Sequence, residues 1–101
     1  MKIRVLDLAE ADLLAGFYFY ELQSPGVGSY FLESLYADIE SLCLYAGVHR
    51  RVFGFFRLLS RRFPYAVYYR IHENEIQVWR ILDCRRDPHW IRRQLKPAPS
   101  K

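Results

Sequence analysis

Up to about residue 47 the apolar residues of this chain recur at helical spacing, and from residue 52 they gather into short aromatic runs. Such a chain must lay helices against a sheet, because each half carries an apolar face that the other can cover. Ala9, Leu13, Gly16, Phe17 and Tyr20 predict a helix over about 8–23. Asp7 reads as its N-cap, and Glu10 puts an acid in the first turn. Ser24-Pro25-Gly26 ends that helix. Phe31, Leu35, Ile39, Leu42 and Ala46 predict a second helix from Val27 or Gly28, with Gly47 as a left-handed C-cap. The short turn makes the pair an antiparallel hairpin.

Lys2 to Leu6 alternates polar and apolar residues, as a short strand does. Residues 52–59 read as a second, largely buried strand, and Ser60-Arg61-Arg62 is the break after it. Pro64 opens a third strand through Ile71. His72-Glu73-Asn74-Glu75 is a tight turn, and Ile76–Asp83 is the returning strand. Asp87-Pro88 fits an N-cap followed by proline at the first helical position, opening a short basic helix through Leu95. The predicted fold is α+β, a single domain over residues 1–95, with residues 96–101 a disordered tail. An N-terminal strand precedes an antiparallel helical hairpin packed on one face of a mostly antiparallel four-stranded sheet. The other face stays open or partly open, and a short C-terminal helix closes the chain.

Composition narrows the function. With 51% hydrophobic and 17% aromatic residues the chain is no disordered segment. No uncharged apolar run approaches the roughly 18 residues of a membrane span, so no membrane partner is expected. The N-terminus meets Asp7 before a signal-peptide core could form. Cys43 and Cys84, outside any C-x-x-C, read as reduced thiols of a cytoplasmic protein, Cys43 as a small core residue of a helix and Cys84 at a strand end.

The net charge of +4 conceals a split. Residues 1–49 hold two bases and seven acids, a net of −5; residues 50–101 hold thirteen bases and four acids, a net of +9. Twelve of the fifteen bases are Arg, which suits bidentate contact with phosphate or carboxylate. Arg57, Arg70 and Arg80 interrupt the apolar strands and should converge on the open face. Arg61, Arg62, Arg85 and Arg86 lie at strand ends, and Arg92 and Arg93 on the last helix. Beside Tyr68, Tyr69 and Trp79 these could grip phosphates and stack on bases, or simply keep an exposed sheet soluble.

Chemistry is weakly signalled. His49, His72 and His89 match no metal spacing, and there is no G-x-S-x-G or phosphate-loop pattern, so neither metal nor cofactor is expected. For phosphodiester cleavage, His72, Glu73 or His89 could move protons beside the arginines. Phe17, Tyr18, Phe19 and Tyr36 point from more helix faces than one sheet can hide. A partner segment wrapping over them, or a homodimer, would bury that surplus.

The order of elements and several motifs resemble the RelE/ParE superfamily, the toxins of bacterial type II toxin–antitoxin pairs. The resemblance rests on Phe19-Tyr20-Glu21, on Ser24-Pro25-Gly26-Val27-Gly28-Ser29-Tyr30-Phe31 and on Arg57-Leu58-Leu59. It continues in Arg62-Phe63-Pro64-Tyr65-Ala66-Val67-Tyr68-Tyr69 and in Asp83-Cys84-Arg85-Arg86-Asp87-Pro88 with Trp90. It implies a growth-arresting toxin of a plasmid-stabilisation module, neutralised by an acidic or amphipathic antitoxin segment over Phe17, Tyr18, Phe19 and Tyr36. Operator DNA would be contacted only through the antitoxin complex. RelE-like members cleave messenger RNA on the ribosome; that would cast Arg57, Arg70 and Arg80 on the phosphate and His89 or Glu73 in proton transfer. ParE-like members poison DNA gyrase by binding, which would use Arg57, Arg61, Arg62, Arg70, Arg80, Arg85 and Arg86. No tyrosine follows Tyr69 and no lysine lies in the later strands, which places the chain nearer the ParE branch. A non-toxic RNA- or protein-binding module on the same scaffold is the remaining reading.

Overall fold

The computed structural model describes residues 1–96. Its order is β1 (Lys2–Val5), α1 (Asp7–Gln23), α2 (Val27–Glu40), α3 (Leu42–Tyr45), β2 (Arg51–Val52), β3 (Phe55–Leu59), β4 (Tyr65–His72), β5 (Glu75–Asp83) and α4 (Pro88–Leu95). The expected tail lies outside the described residues, apart from Lys96, which follows α4.

The sheet has five strands in the order β1-β5-β4-β3-β2, and only the β1–β5 pairing is parallel. The predicted strand over 52–59 is a tight hairpin instead. Phe53 (φ 53°) and Gly54 (φ 88°) both turn through the left-handed region and set Val52 against Phe55. Glu73 and Asn74 do the same between β4 and β5, as the sequence predicts. α1 already starts at Asp7, whose side chain makes no cap. Leu6 is the extended N-cap, because its N–H is drawn to the Val78 carbonyl at the end of the β1–β5 ladder. The second helix breaks at Ser41, whose hydroxyl bonds the Asp38 carbonyl and competes with the helical ladder. Gly47 does lie in the left-handed region after α3 (φ 92°).

A carboxylate shapes the helical hairpin. Glu21 accepts hydrogen bonds from the backbone N–H groups of Gly26 (3.0 Å) and Gly28 (3.0 Å), capping the start of α2 from the end of α1. Gly28 sits so close that a Cβ there would fall 2.6 Å from the Phe17 carbonyl. The hairpin and α3 bury Ala9, Leu13, Phe31, Leu35, Ile39 and Leu42 against Val67, Tyr69, Ile76, Val78 and Ile81 of the sheet. Near the hairpin turn, Phe31 meets Phe63 and Tyr65 edge-on at 5.1 and 4.9 Å.

The second face is less open than the sequence suggests. α4 lays Ile91 and Leu95 on Ala66, Tyr68 and Leu82, with Phe55, Trp79 and Trp90 around them. The Trp79 indole donates to the Leu95 carbonyl at 2.9 Å and fixes the helix end. Cys43 and Cys84 are both exposed, so Cys43 is not a core residue.

Candidate functional site

β1 flanks β5 only as far as Val78, so the far half of β5, paired with β4 on one side, has no strand on the other. An irregularity at Tyr68/Tyr69 shifts the β4–β5 register there and leaves Arg80 beside α1. Arg80 Nε and Nη2 donate to the two Asp12 carboxylate oxygens at 2.7 and 2.9 Å, and Nη1 donates to the Gln94 carbonyl at 2.9 Å. Asp12 also accepts the Ile81 N–H at 2.9 Å, so one carboxylate closes the open strand edge and pairs with the arginine. Arg80 is thus not on an open face ready for a phosphate. It ties α1, β5 and α4 together, with only 13% of its side chain exposed.

Between α1 and α4 this edge floors a groove of about 340 Å³, walled by Phe19, Tyr65, Asp83, Arg86 and Trp90. Arg86 lies 3.8 Å over the Trp90 ring. Arg85 holds Asp83 with contacts of 2.7 and 3.0 Å, and that guanidinium keeps the Asp83 carboxyl below its ordinary pKa. Burial, with the nearby Asp83 and Tyr20 adding to it, pushes the Tyr65 phenol up to about 12, so it stays a neutral hydroxyl.

The remaining predicted site residues divide. Arg57 faces Tyr68 across the β3–β4 ladder, and its Nε is buried without a hydrogen-bond partner. Burial raises the Tyr68 phenol and the Arg57 charge opposes it. Arg70 donates to Gln77 at 2.7 Å and stacks over Trp79 at 4.6 Å on the same side of the sheet. Arg61 and Arg62 are exposed in the β3–β4 connection, Arg62 over Tyr30. Glu73 sits in the β4–β5 turn and His89 in the first turn of α4, so the nine-residue β5 separates them by about 25 Å. They cannot serve one phosphate together. Of the four surplus aromatics, Phe19 lines the groove, Tyr18 and Tyr36 are exposed elsewhere, and Phe17 is half-buried.

Asp12, Tyr65, Asp83 and Trp90 are groove residues that sequence reasoning did not place in a site. In the sequence Asp12 is one of seven acids of the first half, and Trp90 stands beside Ile91 and Leu95, which pack on the sheet. Among the described residues no group of three or more His, Cys, Asp or Glu side chains is placed to hold a metal, and no helix is long and apolar enough to cross a membrane.

The fold is similar to that of a solved structure. The structure described as the chromosomal ParDE TA system from P. aeruginosa superposes with a TM-score of 0.73 at 24% identity, covering 80% of this chain and 92% of that one. Comparison with curated protein sequences gives no match. The family described as "ParE toxin of type II toxin-antitoxin system, parDE" matches residues 3–88. The chain belongs to that ParE toxin family.

Proposed function

We propose that this chain arrests growth by binding DNA gyrase, without bond-breaking chemistry of its own, and that a cognate antitoxin segment neutralises it. The observation that carries the reading is the state of the strand arginines. Arg80 is spent on Asp12 and the Gln94 carbonyl, and Arg70 on Gln77 and Trp79, while of the proton-transfer candidates His72 and Glu73 sit exposed at the β4–β5 turn and His89 lies beyond the other end of β5. A nuclease needs a base, an acid and a free cation around one phosphate. A binding protein needs only a charged surface, which the exposed Arg61, Arg62, Arg85 and Arg86 supply.

The groove between α1 and α4 suits the antitoxin. Phe19 and Trp90 offer apolar anchors at its walls, and Arg86 offers a cation for an acidic residue of the incoming segment. Induced expression in growing cells, read in parallel for the DNA-damage response and for protein synthesis, tests the target. An early damage response with continuing translation supports gyrase. An immediate stop in translation overturns the proposal in favour of the ribosome.

A further inference from the structure

Residues 41–72 hold six arginines and no acid. Within this stretch the β2–β3 hairpin turns on Phe53 and Gly54, both in the left-handed region. Asn-Gly is the favoured pair in such a two-residue turn, and a bulky aromatic at positive φ is strained. Phe53 gains little packing in return, since 45% of it is exposed. An exposed ring kept at a strained tip points to a contact outside the fold.

Beside Phe53 lies a concavity of about 300 Å³, away from the α1–α4 groove. Phe53 and Phe55 line it from the hairpin, and Arg92, Leu95 and Lys96 from the end of α4. Leu95 is buried and Phe55 half-buried, so the interior is apolar; Arg92 and Lys96 are exposed at the rim. The Arg92 guanidinium stands 5.8 Å from the centre of the Phe53 ring. Among the described residues no acid lines the concavity. On the same α4 side of the sheet, Phe55 lies against Trp79 with ring centres 5.4 Å apart, and Arg70 stands 4.6 Å over Trp79. Three rings, Trp79, Phe55 and Phe53, thus run between two guanidinium groups.

Flat rings between cations, with no acid among them, fit a ligand that combines flat faces with negative charge. A single nucleic-acid strand is such a ligand, because its bases stack on rings while its phosphates meet Arg and Lys. A duplex keeps its base faces in its own stack and could use only the cations. An acidic peptide would add as a strand, and β2, at two residues, offers it too short an edge.

We propose that the surface between the β2–β3 turn and the end of α4 binds single-stranded nucleic acid without sequence preference. One base stacks on Phe53 over the concavity, and the adjoining phosphates meet Arg92 and Lys96. Arg70 offers a further phosphate contact along the same row. The proposal stands apart from the gyrase reading, and neither depends on the other. The strand could be DNA or RNA.

Fluorescence anisotropy of labelled oligo(dT), oligo(rU) and a DNA duplex of equal length, titrated with the purified 101-residue chain, tests it. The single strands should bind at least about fivefold tighter than the duplex, the value of one weak stack. Phe53→Asn should weaken their binding roughly 5- to 150-fold, while the melting temperature holds or rises because Asn relieves the turn. That combination cannot come from unfolding, and Phe53→Tyr should keep the affinity. Arg92→Gln with Lys96→Gln should flatten the slope of log affinity against log salt by about 1.4, two phosphates at ~0.7 each. Tighter oligo(dT) assigns the surface to DNA, tighter oligo(rU) to RNA, and equal affinity to either strand. Duplex binding as tight as that of the single strands overturns the proposal, as does unchanged binding by Phe53→Asn. So does tighter binding of polyglutamate, which would mark a surface for an acidic protein segment.

Discussion

Replacing Asp12 with Ala removes the single carboxylate that ties α1 to the far half of β5. Its partner Arg80 is 13% exposed and Asp12 15%, so the pair is largely desolvated. Breaking such a pair from one side costs about 3–5 kcal/mol, because the other charge stays buried and alone. Two features move the value in opposite directions. The Gln94 carbonyl still receives Arg80, which lowers the cost; the Ile81 N–H loses its acceptor, which adds about 1–3 kcal/mol where water does not replace it. The expected loss is about 3 kcal/mol, a large part of the ~5–15 kcal/mol that holds a domain together. In thermal melts of a chain this size that is a fall of about 12 °C or more. Urea unfolding should show the midpoint drop with an unchanged slope. Arg80→Met should cost less, about 2 kcal/mol, since Asp12 keeps the Ile81 N–H. The double variant Asp12→Ala/Arg80→Met should then lose at least ~1 kcal/mol less than its two single changes added together. A loss below ~1 kcal/mol for Asp12→Ala, or strict additivity in the double variant, would mean that Arg80 is solvated and free. The assignment of Arg80 to structure would then be wrong.

Three further outcomes follow from the geometry. Glu21→Ala should destabilise the fold by about 1–2 kcal/mol in the same urea experiment, since the Gly26 and Gly28 N–H groups lose their cap; Gly28→Ala should cost more, because its Cβ meets the Phe17 carbonyl, which is backbone and cannot swing away. The buried Tyr69 hydroxyl accepts the Gly47 N–H at 2.9 Å, which leaves its own hydrogen for Nδ1 of a neutral His49. Burial lowers the His49 pKa below its usual 6.5, so the folded chain binds fewer protons than the unfolded one. That share of stability is complete above about pH 6.5 and declines as the pH falls through the lowered value; His49→Gln should flatten the slope of unfolding midpoint against pH in this window. Finally, Cys43 and Cys84 should both react with a thiol reagent under native conditions, without the lag that buried thiols impose.

What was legible in the sequence was local. The Gly47 cap, the Glu73–Asn74 turn and the Asp87-Pro88 start of α4 each depend on residues within one turn of one another, and each is in place; the Asp87 carboxylate accepts the His89 N–H at 3.2 Å. Helical and strand periods likewise located the hairpin and the two long strands, because one face of each is buried. The β2–β3 hairpin was hidden because Phe53, a bulky non-glycine residue, takes the left-handed position, where Asn or Asp would announce a turn. The parallel place of β1 beside β5 depends on pairing across more than seventy residues, which no local pattern carries. The same distance hid the site. Asp12 acquires its meaning from a strand 68 residues away, and Arg80 reads as a free cation until Asp12 is set against it.

The central claim is that this ParE-family chain acts by binding, and purified gyrase on supercoiled plasmid tests it most directly. Adding the chain should accumulate protein-linked double-strand breaks after detergent and protease treatment. Arg80→Met should keep that effect if it folds, and Arg61→Ala with Arg62→Ala should weaken it. Pre-incubation with the product of the adjacent reading frame should abolish it. Unchanged supercoiling with no trapped breaks at equimolar chain, alongside codon-positioned cuts in a message on translating ribosomes, would contradict the account.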